Sequence, residues 1–270
     1  PKPLRGPEAE DAEGRGVNVA FIYDPGCLDG SRGGAELAMD EFADLAPDGV
    51  NMTSVEEADT VVIGNCVHVP FDIAGLLEDK VVWRFHHDLA RDESPDLWDW
   101  LAENARHIFT SPLHVKLYGW QGEHDLVPPC PRLADFRPNR ETRRHPKREG
   151  IVTVGSWQAP SKGARLVSEA IYKDELTADC YGTGAFLPYG DRITQKGPVD
   201  HRDLPGILHR YEQFVFLPIA PEPFGRCVAE AWAAGCDVMT NDLVGAKWWI
   251  ENDPGKLWTA AEDFWRLVCQ

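Results

Sequence analysis

One segment constrains the fold of this chain more than any other. Residues 136–150 (FRPNRETRRHPKREG) hold six Arg or Lys and two Pro, with Phe136 the only large apolar side chain. Such a stretch cannot contribute to a core, and it divides the chain into two halves of the same rhythm. Before it, apolar runs at 17–23, 60–64, 80–85, 107–110 and 125–128 read as strands, with helical spacing at 34–46, 96–105 and 112–118. After it, strands are predicted at 150–154, 177–181, 213–218 and 236–240, and helices at 163–171, 204–210, 225–234 and 260–268. Short continuous apolar runs separated by helices mark strands of a parallel sheet covered on both faces. The expected class is therefore α/β, with two Rossmann-like domains facing across a cleft. The predicted boundaries are a disordered tail (1–16), a first domain (17–135), a basic linker (136–149), a second domain (150–254) and a closing helix (255–270).

Composition removes several function classes. The formal charge is −17, which excludes a general nucleic-acid binder. Ten Trp and eleven Phe supply a core, so global disorder is excluded. The apolar runs fall far short of the roughly 20 residues that span a bilayer, and the polar start shows no secretory signal. Seven Cys are scattered with no C-x-x-C pair. That pattern fits reduced thiols and a cytoplasmic location rather than a disulfide framework or structural zinc. The linker reads first as a solvated connection, and second as a peripheral contact for anionic lipid or an acidic acceptor.

The chemistry concentrates in 214–246 (FVFLPIAPEPFGRCVAEAWAAGCDVMTNDLVGA). A buried strand runs into a Pro-rich loop, then Glu222, Phe224 and Gly225, then a helix. The free N–H groups at the helix start, around Gly225 and Arg226, are suited to an anion. Glu222 in the loop and Glu230 in the helix cannot both serve that anion. Two carboxylates flanking a phosphate site suit hydroxyl groups on either side of it, a sugar and a ribose. Cys227 reads as a packed residue.

This segment resembles the retaining GT-B glycosyltransferases with a Glu-x7-Glu motif, a glycosyltransferase family 4-like pattern. Glu222 and Glu230 have that spacing within E-P-F-G-R-x-x-x-E-A. Gly155-Ser156-Trp157 and Lys162-Gly163 are similar to the loop that binds the donor diphosphate. Tyr181-Gly-Thr-Gly184 and Gly197-Pro-Val-Asp-His resemble the next two donor-domain segments. In the first half, Arg32-Gly33-Gly34-Ala-Glu36 is similar to the glycine loop that faces the donor. His86-His87-Asp88 stands where the family has a strand-end histidine.

The resemblance implies a GT-B fold and transfer of a hexose from a nucleoside diphosphate sugar (UDP-, GDP- or ADP-linked) to a hydroxyl acceptor, with retention. The acceptor is a glycan, a lipid or a small molecule. It implies that Glu222 contacts the transferred sugar and that Glu230 holds the ribose hydroxyls. Lys162 neutralises the leaving diphosphate, assisted by the amides of Phe224, Gly225 and Arg226. One of His86 and His87 sits near the sugar; strand counting favours His86, the His-Asp dipeptide His87. Gly33, Gly34 and Ser156 belong to the donor-binding loops. One departure stands out: Ser156 occupies the place of the family's usual Arg, so Lys162 works with another cation, Arg226 or Arg165 for instance, or the donor site is weakened. No Asp-x-Asp occurs, so a metal-independent mechanism without a cofactor is expected. The alternatives are a non-catalytic GT-B-like nucleotide or glycan binder and a GT-B-fold sugar-nucleotide epimerase.

Overall fold

The computed structural model describes residues 16–23, 34–64, 73–87, 89, 95–138, 148–173, 175–184 and 192–270. Gly33, Arg32, Asp88, most of the N-terminal tail and linker residues 139–147 lie outside the described residues. The first sheet contains β1 (Val17–Ile22), β2 (Val50–Met52), β3 (Thr60–Ile63), β4 (Val81–Phe85), β5 (Arg106–Phe109) and β6 (Asp125–Leu126), in the order β2-β1-β3-β4-β5-β6. The second contains β7 (Ile151–Ser156), β8 (Ala178–Thr183), β9 (Ile193–Gly197), β10 (Gln213–Phe216) and β11 (Asp237–Thr240), in the order β11-β10-β7-β8-β9. Every pairing in both sheets is parallel. β3 is buried at all four positions, as a strand covered on both faces must be.

Helices α1 (Gly34–Asp44), α2 (Ala74–Leu77), α3 (Pro95–Asn104) and α4 (Pro112–Tyr118) belong to the first half. The second half carries α5 (Ala164–Lys173), α6 (Leu204–Leu208), α7 (Arg226–Ala233), α8 (Gly245–Asn252) and α9 (Pro254–Trp258). The last helix, α10 (Ala260–Val268), crosses back. Its Phe264 stacks on Phe42 of α1 with ring centroids 4.2 Å apart, and the Trp265 indole N–H donates to the Phe42 carbonyl at 3.0 Å. The chain also changes domain earlier than its charge pattern predicts. Cys130, Leu133 and Phe136 are buried in the second domain's core, which therefore begins before the basic segment and, against expectation, takes in that segment's first residue. Apolar partners, rather than the first run of charge, decide where the chain switches cores. The end of the basic segment also has a structural role. The Arg148 guanidinium donates to the carbonyls of Ala234 and Gly235 and so caps the C-terminus of α7.

In the second sheet the strand order reverses between β7 and β10. The crevice beyond the carboxyl ends of these two strands is where an open α/β sheet receives a ligand. The first domain closes over the same end. Ser111 Oγ and Thr110 Oγ1, just past β5, donate to the Pro223 carbonyl at 2.7 and 3.1 Å. The Trp249 indole of α8 returns a bond to the Thr110 carbonyl at 2.8 Å. Gly245 makes this docking feasible, because a Cβ there would lie 2.0 Å from the Pro223 carbonyl oxygen and 2.4 Å from Ser111 Oγ.

Candidate functional site

A cleft of about 820 Å³ lies between the domains at this switch point. Residues of β7, β8 and β10 form its floor, the 222–230 segment one side, and the start of α1 with His87 the other.

Local structure explains how Lys162 and Glu222 reach it. After β7 the chain makes a 3-10 turn over Pro160–Lys162, closed by Gly163 at φ 72°. A Cβ at Gly163 would stand 1.8 Å from the Leu217 carbonyl oxygen, so only glycine lets this turn lie against the exit of β10. The Ile219 N–H donates to the Ser161 carbonyl at 2.9 Å and completes the tie. Glu222 is held as a short strand segment: its N–H donates to Leu243 O at 2.7 Å, and its carbonyl accepts from Gly245 N at 3.0 Å. With both backbones fixed, Lys162 Nζ donates to Glu222 Oε1 at 2.6 Å. The two residues to which the resemblance assigns the sugar and the diphosphate are ion-paired to each other at the cleft wall.

Gly225 precedes α7 at φ 80°, and a Cβ on it would come within 2.8 Å of Val244. The glycine is therefore required by the backbone and by packing, in addition to any close approach of a ligand. Phe224 is buried; its carbonyl accepts from Ala246 N at 2.7 Å, which locks the segment to α8. Ser156 also lines the cleft, where its hydroxyl pairs with Thr183 Oγ1 at 3.1 Å.

Glu230 is nearly fully buried. Its Oε1 accepts from His201 Nε2 at 2.8 Å and from Arg226 Nε at 3.2 Å. Burial pushes its carboxyl up, but the His201 bond and the Arg226 charge outweigh that and hold it below the usual carboxylate range. His201 is raised in turn, chiefly by its bond to Glu230. Arg226 Nη2 reaches across the cleft to both oxygens of Glu41 on α1, at 3.0 Å each.

Both arginines named as a second cation beside Lys162 carry carboxylate partners. The Arg226 guanidinium is engaged by Glu41 and Glu230. Arg165 is exposed on α5 and bridges Glu169 one turn along at 2.7 Å.

The paired histidines separate cleanly. Backbone pairing continues past β4, since His86 N–H donates to Ile108 O at 2.8 Å. Successive side chains then point to opposite faces. His86 faces inward, is buried, stacks on Phe109 at 4.2 Å and bonds His107 Nδ1 at 2.9 Å. His87 lines the cleft, and its buried Nε2 has no hydrogen-bond partner among the described residues. Of the two, His86 is thus not at the cleft. Burial, with the charges of Arg84, His114 and Arg226, lowers His87 to about 3, so its ring is neutral at physiological pH.

Of the sequence candidates, the structure brings His87, Gly34, Ser156, Lys162, Glu222, Phe224, Gly225, Arg226 and Glu230 to one cleft. Glu41 and His201 were missed. His201 lies in the segment singled out after Gly197, but nothing local marks its imidazole as a partner for Glu230. Glu41 sits seven residues after Gly34 on the same helical face, a spacing that any amphipathic helix produces.

No family profile matches the chain, and no curated protein matches it. The likeness is to solved structures. HepE of Anabaena, in complex with UDP and glucose, is 15% identical over 95% of both chains with a TM-score of 0.62. AviGT4, a glycosyltransferase involved in avilamycin A biosynthesis, is 16% identical over 94% of this chain and 88% of its own, with a TM-score of 0.64. Sucrose-phosphate synthase of Thermosynechococcus elongatus is 16% identical over 94% and 90%, with a TM-score of 0.59. The chain has the GT-B fold of these proteins. Among the described residues, no helix is long and apolar enough to cross a membrane.

Proposed function

We propose that this protein is a retaining glycosyltransferase that moves a hexose from a nucleoside diphosphate sugar to a hydroxyl acceptor without a metal ion or other cofactor. The observation that carries this reading is the convergence of Lys162, Glu222 and Glu230 at the β7/β10 switch point. A cation and two carboxylates, one either side of a helix N-terminus, match the three parts of such a donor: diphosphate, sugar and ribose. HepE, with the same fold, binds UDP and UDP-glucose.

In this reading the diphosphate lies between Lys162 and the first amides of α7, where the lysine charge and the helix dipole meet the charge developing on the leaving group. A diphosphate arriving there competes for Lys162 and draws it from Glu222. The freed carboxylate then accepts hydrogen bonds from the sugar hydroxyls. Glu230 Oε1 is already doubly bonded, which leaves Oε2 for a ribose hydroxyl. The neutral His87 faces the sugar from the first domain and offers a hydrogen bond without adding charge. The acceptor hydroxyl attacks the anomeric carbon on the face from which the diphosphate leaves, and its proton passes to the departing phosphate oxygen. The C–O bond to the acceptor forms as the C–O bond to phosphate breaks, and configuration is retained. The acceptor is a glycan, a lipid or a small molecule, and the setting is cytoplasmic or at a membrane surface.

A second reading, a binder of nucleotide or glycan without turnover, is favoured by Ser156 at the diphosphate loop. Melting curves with UDP, GDP and ADP, and with their sugars, test both. A stabilising shift with one nucleotide series is expected, because a ligand that binds only the native state raises its stability by mass action. Slow hydrolysis of the matching sugar donor separates enzyme from binder. Absence of any shift overturns the donor-site reading.

A further inference from the structure

The network behind Glu230 extends beyond the donor domain. Arg226 side-chain exposure is 10% and that of Glu41 is 9%, so a guanidinium and a carboxylate from opposite domains are paired almost out of water. Arg226 Nη1 also donates to the Gly34 carbonyl at 3.3 Å, and a Cβ at Gly34 would lie 3.2 Å from Arg226 Cδ. The start of α1 therefore rests on the arginine stem. His201 closes the group: Nε2 is on Glu230, and Nδ1 stands 3.7 Å from Glu41 Oε1. Two carboxylates share one guanidinium and one imidazole. Both side-chain bonds to Glu230 among the described residues fall on Oε1, and Arg226 holds Glu230 by Nε while its Nη2 is on Glu41.

We propose that Glu41 and Arg226 are positioning residues: Glu41, on the first domain, keeps Arg226 from closing over Glu230 and so keeps Glu230 Oε2 open to the nucleotide. This rests on the reading of Glu230 as the ribose-binding carboxylate. Neither Glu41 nor Arg226 needs to touch the nucleotide for the effect. Planar guanidinium and carboxylate groups favour a two-point fork. Without the Glu41 charge, a buried Arg226 has Glu230 as its remaining anion and swings into that fork, covering Oε2. An uncompensated charge in a buried group is costly enough to enforce the change. Occupancy of the nucleotide site and the seating of α1 on the donor domain become one linked equilibrium, and each favours the other.

Calorimetric titration of UDP, GDP and ADP into the full chain tests this, using wild type, Glu41→Gln, Glu41→Asp, Glu230→Gln and the Glu41→Gln/Glu230→Gln double variant. For the nucleotide that binds wild type, Glu41→Gln is expected to weaken Kd about tenfold. Glu41→Asp should recover most of the loss. In the Glu230→Gln background, Glu41→Gln should have no further effect, a coupling that a merely structural role would not produce. If Glu41→Gln does not fold, Arg226→Lys is titrated in its place: it keeps the charge but cannot fork onto Glu230, so Kd should stay within about twofold of wild type, and a tenfold loss overturns the proposal. Unchanged affinity in Glu41→Gln, or equal losses in both backgrounds, overturns the proposal alone. Wild type that binds none of the three nucleotides overturns the ribose reading as well.

Discussion

On the first-domain wall of the cleft, His87 stands at the end of β4 with Arg84 and Arg226 among its charged neighbours and its Nε2 unbonded among the described residues. On the second-domain wall, His201 is bonded to Glu230 and lies near Glu41. Burial and positive charge keep the first imidazole neutral, whereas carboxylates draw the second toward imidazolium. The same side chain is thus an uncharged ring with an unbonded nitrogen on one wall and part of an ionic lattice on the other. The contrast extends to the surroundings. The layer behind His87 is aromatic, with Phe85 at 4.2 Å, while the second-domain wall is built from Lys162, Glu222, Arg226 and Glu230. The charged side chains that line the cleft come from the second domain, and the first lines it with small and apolar residues and the neutral His87.

The largest expected effect comes from breaking the charged wall. Glu222→Ala should reduce transfer by about 100-fold or more, the usual scale for removing a group that meets charge or hydroxyls in the transition state. Its backbone bonds to Leu243 and Gly245 remain in the variant. The melting temperature should therefore stay close to wild type. Steady-state assays beside thermal denaturation check this, and full activity in Glu222→Ala would sink the assignment of the sugar-binding carboxylate.

The legibility of the two walls also differs. Nearly all central strands were readable, because a strand such as β3, with four buried positions, must be continuously apolar. The edge strands β6 and β11 were readable too, but the edge strands β2 and β9 were not. β2 (Val-Asn-Met) and β9 (Ile-Thr-Gln-Lys-Gly) are mostly exposed and carry no apolar run to betray them. Helix α8 was missed because its sequence, Gly-Ala-Lys-Trp-Trp-Ile-Glu-Asn, follows an already crowded loop without a side-chain cap. At the site, Lys162, Glu222 and Glu230 were legible from one continuous string and one glycine turn, since local backbone geometry places them. Glu41 was not, because its partner Arg226 lies 185 residues away and only the docking of the domains joins them. The histidine pair lay between these cases. The residue types were visible, but the choice between them depended on which face the strand end turns toward the cleft.

A second experiment separates those two histidines by readout. His86 is enclosed by Phe109, Trp98, Tyr118 and His107, so His86→Ala opens a cavity and strands the His107 nitrogen. A loss of about 2–4 kcal/mol in unfolding free energy is expected, measured by urea denaturation. His87→Gln should leave stability within about 1 kcal/mol. It should lower turnover more than it changes nucleotide affinity, because the ring faces the cleft and not the ribose end. A reversal, with His87→Gln unfolding the protein and His86→Ala sparing it, would place the wrong histidine at the cleft.

The gentlest way to sharpen the comparison is pH. His86 and His87 are lowered by burial first and by Arg84 next, His87 to about 3. His107 is lowered to about 4, again chiefly by burial. In the unfolded chain each titrates near its ordinary value of about 6.5. As pH falls below that value the unfolded chain takes up protons that these folded sites refuse, so stability falls on acidification. His201 works with the opposite sign. Its folded value is raised, so its contribution is fully present below the ordinary value and is lost as pH rises through the folded one. Three depressed histidines outweigh one raised histidine, and unfolding free energy should drop between pH 6.5 and 5, before most carboxylates titrate. The limiting slope is about 1.4 kcal/mol per pH unit for each proton. Urea denaturation across that window checks the sign. His87→Gln should flatten the acid loss, while His201→Gln should steepen it by removing a group of opposite sign. If both variants moved the slope in the same direction, the two walls would not differ in the way their imidazoles are held.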